Sequence, residues 1–212
     1  MKNSPKVLGL DISTKTIGWA LFDIKTKELL ELTHVSPRPK NKNTEENKML
    51  ELILKSEVFK TKLEDYKKLG IVSVIIEEPL LNSNNVYTIQ TLLRFNTLIC
   101  KTIYDILGIV PEFISTYNSR KFAFPDLVGP NDKGRNVLFG GYPRDIDKKH
   151  VLFGGLPKDI DKKMVIWELV AKKEPQIQWQ YTRNNTLKKE NFDQTDAYAC
   201  VLGYMRSKEI WN

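Results

Sequence analysis

Apolar and polar positions alternate in three short bursts before they settle into longer helical spacings. Val7 to Leu10 is an apolar run that ends on Asp11; Ile12-Ser13-Thr14-Lys15-Thr16 is turn-like, and a β-rich run resumes from Ile17 to Phe22. This pattern predicts strand, tight turn, strand, with a carboxylate where the first strand leaves the sheet. Lys25-Thr26-Lys27 reads as a second turn and residues 28–35, ELLELTHV, as a third strand. Three strands joined by short connections form an antiparallel meander, which Pro37 and Pro39 bring to an end.

After a polar stretch at 40–46, Met49, Leu50, Ile53, Leu54, Val58 and Leu63 recur at helical spacing until Gly70 stops the helix. Residues 71–76, IVSVII, are almost continuously apolar and β-branched, as in a central parallel strand buried on both faces. That strand runs into Glu77-Glu78-Pro79, and Pro79 prevents its continuation. Adjacent strand residues point to opposite faces, so one of the two glutamates can serve a given site, and the pattern leaves open which. A polar loop at 82–85 can cap a helix over 86–107, striped by Ile89, Leu92, Leu93, Leu98, Ile99 and Ile103 and closed by Gly108. Residues 109–116, IVPEFIST, read as a fifth strand, giving the order βββαβαβ.

The regular signal then fails. Residues 137–150, VLFGGYPRDIDKKH, are followed at once by 151–164, VLFGGLPKDIDKKM, a tandem copy differing at three positions. One short duplication is too little for a solenoid. It predicts a mobile surface loop, inserted at about 124–161 of a single domain covering residues 1–212. Its glycines, basic residues and aromatics could also line nucleic acid, and its Asp-x-Asp pairs (Asp145 and Asp147, Asp159 and Asp161) offer a metal reading. Beyond it, 162–173 is helical, 176–189 is a polar connection, and a last helix runs from about Asn191 through Met205.

Composition narrows the chemistry. The 212 residues contain no run of about 18 apolar positions, so no membrane span is expected. The N-terminus enters a strand pattern directly, without a signal-peptide core, which predicts a cytoplasmic protein. Cys100 and Cys200 sit in helical patterns and form no C-x-x-C spacing, so they read as buried free thiols. With two histidines in the chain, a bound metal would be held by carboxylates, which favours hard ions such as Mg²⁺ or Mn²⁺. The net charge of +7 is compatible with a nucleic-acid partner.

Asp193 and Asp196 are three residues apart and therefore share a helix face, with Cys200 and Gly203 continuing it as small residues that let the helix lie close to a sheet. Each acid has a plain alternative: Asp11 as a turn former, and Asp193 and Asp196 as stabilisers of a helix N-terminus. Taken together they outline one arrangement, in which the ends of strands one and four and the start of the last helix converge. Four carboxylates so placed repel one another unless cations neutralise them. Two Mg²⁺ ions roughly 4 Å apart would do so and would catalyse in-line phosphodiester displacement.

LGLDISTKTIGWALFD resembles the first strand and turn of the RNase H-like superfamily, in particular its RuvC, YqgF and CRISPR-effector branches. VIIEEPLLNSNNVYTIQTLLRFNTLI is similar to the second acidic strand and following helix of the RuvC resolvases, and DQTDAYACVLGY to their closing D-x-x-D-A helix. The resemblance implies an α/β fold: a mixed five-stranded sheet of order 3-2-1-4-5 flanked by helices. It places Asp11, Glu77 rather than Glu78, Asp193 and Asp196 as catalytic metal-binding acids holding two Mg²⁺, with Mn²⁺ as a substitute. Lys162 matches the family's basic residue near the scissile phosphate, with Lys163, Lys148 and Lys149 close by. Lys15, Tyr87, Arg94 and Lys163 become candidate nucleic-acid contacts; Tyr87 and Phe95 are stacking candidates, Phe95 more simply a packing residue.

The activity implied is Mg²⁺-dependent resolution of Holliday junctions by a homodimer that uses the 86–107 helix as dimer contact and junction wedge. Branched DNA is the expected partner, with no membrane and no small-molecule cofactor. The 137–164 duplication departs from compact bacterial members, and a phage-type origin, acting in the host cytoplasm, fits that departure. A YqgF-like nuclease acting on RNA, or a catalytically silent binding module, are the alternatives.

Overall fold

The computed structural model describes residues 4–37, 48–79, 85–130, 134–139 and 161–211. Strands β1 (Lys6–Ile12), β2 (Ile17–Asp23) and β3 (Leu29–Val35) form the expected meander. Helix α1 (Lys48–Tyr66) crosses to β4 (Ile71–Glu77), and α2 (Val86–Leu107) crosses to β5 (Glu112–Ile114). The sheet has the order β3-β2-β1-β4-β5, with β1 antiparallel to β2 and parallel to β4. The later elements are α3 (Thr116–Ala123), a hairpin of β6 (Val128–Pro130) and β7 (Asn136–Leu138), α4 (Lys162–Lys173) and α5 (Glu190–Ser207).

Side-chain alternation on the central strands divides the core in two. Leu8, Leu10, Trp19, Val74 and Ile76 pack beneath α1 and α2, with Phe59, Phe95 and Ile99. Val7, Phe22 and Ile75 face the other way and meet Tyr198, Val201 and Leu202 of α5. Asp11 continues the phase of Val7, and Glu77 that of Ile75, so the two-residue period carries both carboxylates to the α5 side. The Phe22 ring lies 5.2 Å from Tyr198 and 5.6 Å from Trp211; burying such a ring stabilises the fold by roughly 1.5–3 kcal/mol. Helix α5 is buried at every residue from Gln194 to Met205, as a central element must be.

Two expectations need correction. The fifth strand is shorter than 109–116: Ser115 accepts a hydrogen bond from the Asn118 N–H and caps α3, so the local capping bond overrides the β-rich reading there. The described start of the duplication is also not a surface loop. Val137 and Leu138 belong to β7, and Phe139 is buried beside Val165 and Ile166. At the far end of the second copy, Asp161 caps α4 by accepting from the Lys163 N–H, which is its local role. Residues 140–160 lie outside the described region, and with them Lys148, Lys149, Asp145, Asp147 and Asp159. No described helix is long and apolar enough to cross a membrane.

Candidate active site

Two parallel strands and one helix deliver the acids. Asp11 stands at the end of β1, Glu77 is the last residue of β4, and Asp193 and Asp196 occupy the first turns of α5. Oxygen atoms of Asp11, Glu77 and Asp196 all lie within 4.8 Å of one another. Asp193 stands beside this triad, hydrogen-bonded by the Thr16 hydroxyl and lining the adjoining cleft. Glu78 points elsewhere: its N–H bonds the Ile114 carbonyl, and its side chain lines a cavity with Pro79, Leu93 and Phe113. The choice between the two glutamates therefore falls on Glu77.

Close packing of backbone sets these distances. Asp11 pairs with Gly18 across β1 and β2, and the first turn of α5 presses onto Gly18 at Asp193. Gly203, expected to face the sheet, instead meets the backbone of Ser119 in α3. Cys200 does lie toward the strands, its Sγ 3.9 Å from Glu77 Oε2. Both cysteines are free, Cys200 buried and Cys100 half-buried.

The electrostatics show how crowded the site is. Burial, then the charges of Glu77, Asp196 and Asp193, push the Asp11 carboxyl well above the usual range, with Lys163 opposing. Burial followed by Asp196 pushes Glu77 up to about 7, against the hydrogen bond from Thr116 and the charges of Arg120 and Lys163. Asp193 is raised to about 6, chiefly by burial. Two bases offset part of this: Arg120 Nη2 donates to Asp196 Oδ1 at 2.8 Å, and Lys163 Nζ lies 3.4 Å from Asp196 Oδ2. Burial disfavours the charge on each base, yet the surrounding carboxylates raise both pKa values overall.

The lysine that reaches the acids is thus Lys163. Lys162 turns away, its Nζ 5.7 Å from the centroid of the Phe139 ring, because neighbours on a helix point in different directions. Arg120 and Thr116 were not anticipated from the sequence. Both sit on α3, and a helical phase over Ser115-Thr116-Tyr117-Asn118-Ser119-Arg120 was the signal that would have aligned them with the fifth strand's end.

A cleft of about 650 Å³ opens beside Asp193, lined by Ser13, Lys15, Lys55, Lys163 and Lys189 among others. A second groove of about 390 Å³ shares Ser13, Thr14, Glu51 and Lys55 with it and extends to Tyr87, Thr88 and Thr91. Asn85 caps α2 there by accepting from the Tyr87 and Thr88 N–H groups, and Lys48 Nζ lies 4.4 Å from the centroid of the exposed Tyr87 ring. Lys15 and Arg94 are exposed, while Phe95 is fully buried and packs in the core.

The backbone has counterparts among solved structures. Thermus thermophilus RuvC superposes with a TM-score of 0.53 at 10% identity, covering 96% of each chain. The same enzyme in complex with a Holliday junction substrate gives 0.56 at 8% identity over 95% of each chain. The yeast mitochondrial Holliday junction resolvase Ydc2 gives 0.58 at 11% identity, covering 98% of this chain and 80% of that one. The chain has the RuvC fold. No protein-family model and no curated protein matches it at the sequence level. In this chain β1, β4 and α5 meet around the triad, and the sheet has the expected RNase H-like strand order.

Proposed function

We propose that this protein is a divalent-metal-dependent endonuclease selective for branched DNA, resolving four-way junctions as a homodimer. The observation that carries the reading is the meeting of Asp11, Glu77 and Asp196, with Asp193 beside them, in a fold shared with two junction resolvases.

The donor set is all carboxylate oxygen, which fits hard ions of the Mg²⁺ or Mn²⁺ type. Asp11, Glu77, Asp193 and Asp196 would hold two such ions, which when bound supply an activated water and stabilise the leaving oxygen. The remaining work falls to the chain's own groups. Lys163 keeps 46% of its side chain exposed and can bond a phosphate oxygen from the cleft side while its charge faces Asp196. Thr116 holds Glu77, and Thr16 holds Asp193, in fixed orientations. Lys15, Lys55 and Lys189 line the cleft and suit a phosphate backbone, whose charge dominates nucleic-acid affinity. Tyr87, 54% exposed in the adjoining groove, is available to stack on an opened base; Arg94 is a further backbone contact.

A symmetric junction requires two matched cuts, which a two-fold dimer supplies. Leu93 and Phe113 are exposed at 42% and 48% beside the Pro79 cavity, an apolar patch on α2 and β5 suited to that contact.

The test is incubation with labelled four-way junction, linear duplex and structured RNA, in Mg²⁺ or EDTA. Paired nicks near the junction centre, lost in Asp11→Asn, are expected. Cutting of RNA alone would indicate a YqgF-like activity, and binding without metal-dependent cutting a silent module.

A further inference from the structure

Asp196 is gripped from two sides by bases of different character. Lys163 approaches Oδ2 from the cleft with 46% of its side chain in solvent, whereas Arg120 bonds Oδ1 with 12% exposed. The α3 backbone that carries Arg120 is anchored. The neighbouring Ser119 is wedged against α5, where an added Cβ on Gly203 would lie 2.3 Å from the Ser119 carbonyl oxygen. The Arg120 Nε is buried with no hydrogen-bond partner among the described residues, so the guanidinium fork is only partly engaged. A largely buried positive charge therefore sits inside the carboxylate cluster, against the residue that a cation would also have to use.

Like charges repel steeply at such range in a partly buried site. The charges can also be counted: Asp11, Glu77, Asp193 and Asp196 offer four negative groups against two positive ones, Arg120 and Lys163, both of which pair with Asp196, so two negative charges remain in excess. What remains matches one divalent ion. Resting on the metal-dependent reading above, we infer that Arg120 is a positioning residue that clamps Asp196 and limits the free protein to a single tightly held divalent ion. In the free protein Arg120 keeps the share of Asp196 that a second ion would need.

The inference separates from a merely structural role, because loss of a structural brace loosens the cluster and weakens metal binding. Loss of a competing charge strengthens it. Mn²⁺ titration without DNA, read by electron paramagnetic resonance of the free ion, is the measurement. The wild type should bind one ion per chain tightly, and Arg120→Gln should bind Mn²⁺ ~10-fold more tightly or gain a second tight site. Arg120→Lys, which keeps the charge, should stay within about threefold of the wild type. Two tight ions in the wild type, or equal or weaker binding in Arg120→Gln, would overturn it.

Should the glutamine variant not fold, the wild type still decides. The Arg120 side-chain ¹⁵N resonance should shift as Mg²⁺ fills the site, and a resonance unmoved at saturation would refute the clamp. Junction cleavage is assayed separately. Metal bound without any cleavage would count against the nuclease reading while the affinity ratio still judges Arg120.

Discussion

A Cβ on Gly18 would lie 1.9 Å from the carbonyl oxygen of Asp193. The start of the acid-bearing helix thus rests directly on the strand that pairs with Asp11. Gly18→Ala must push α5 outward or bend β2, at a cost of about 1–3 kcal/mol in stability. Because the same shift separates Asp193 from Asp11, cleavage should fall more than stability explains. Thermal melts and junction-cleavage rates on the purified variant check both, and wild-type cleavage would refute the claim that this contact sets the site.

Removing one negative group should trade activity for stability. Asp11 is crowded by three other carboxylates, so Asp11→Asn should melt above the wild type in EDTA while losing at least about 100-fold in cleavage. A variant that both melts lower and remains active would contradict the crowding.

The pH dependence follows from the same groups. Glu77 in the folded protein is raised from 4.5 to about 7, and Asp193 from 3.8 to about 6. Between those limits the folded state keeps protons that the unfolded chain has released, so stability without metal falls as pH rises and is greatest near the lower limit. The loss runs from about pH 4, where the unfolded Asp193 carboxyl releases its proton, to about pH 7, where folded Glu77 does. Divalent metal binds the ionised form, so Mg²⁺ should stabilise more at pH 8 than at pH 5. Urea melts across pH with EDTA or Mg²⁺ test this; a stability that climbs toward neutrality in EDTA would count against it.

Lys163 and Lys162 offer a paired test. Lys163→Met removes the ammonium 3.4 Å from Asp196 and should lower cleavage about 10- to 100-fold. Lys162→Met, whose ammonium lies over Phe139, should leave cleavage within a few-fold. Single-turnover rates on one junction decide, and the reverse ranking would return the role to Lys162.

Tyr87→Ala should weaken junction binding by about 1–3 kcal/mol while leaving the melt unchanged, since the ring is half in solvent with the Lys48 ammonium over it. Gel-shift titration with a metal-free junction complex measures this directly.

The sheet was legible because β1 and β2 alternate sharply, and because the β-branched 71–76 run admits few placements other than beside β1. The same two-residue period aligned Asp11 with Val7, and the three-residue spacing kept Asp193 and Asp196 on one helical face. Arg120 escaped notice for a physical reason. Its helix is short, mostly polar and entered from β-branched residues, so the Ser115 capping bond that creates it carries no hydrophobic signature. Lys163 was harder still: the helix at 162–173 was legible, but which of two adjacent lysines faces the acids depends on how α4 is rotated against the site, and that rotation leaves no mark in a segment of repeating letters.

Helix α5 combines two duties. It is the central pillar of one half of the interior, buried from Gln194 to Met205, and it also carries Asp193 and Asp196 of the candidate site. Its amides from Gln194 to Met205 should therefore exchange with deuterium only through global opening. In consequence partial melting that spares the body of the protein should not displace Asp196, and its loss from the cluster on heating should coincide with cooperative collapse.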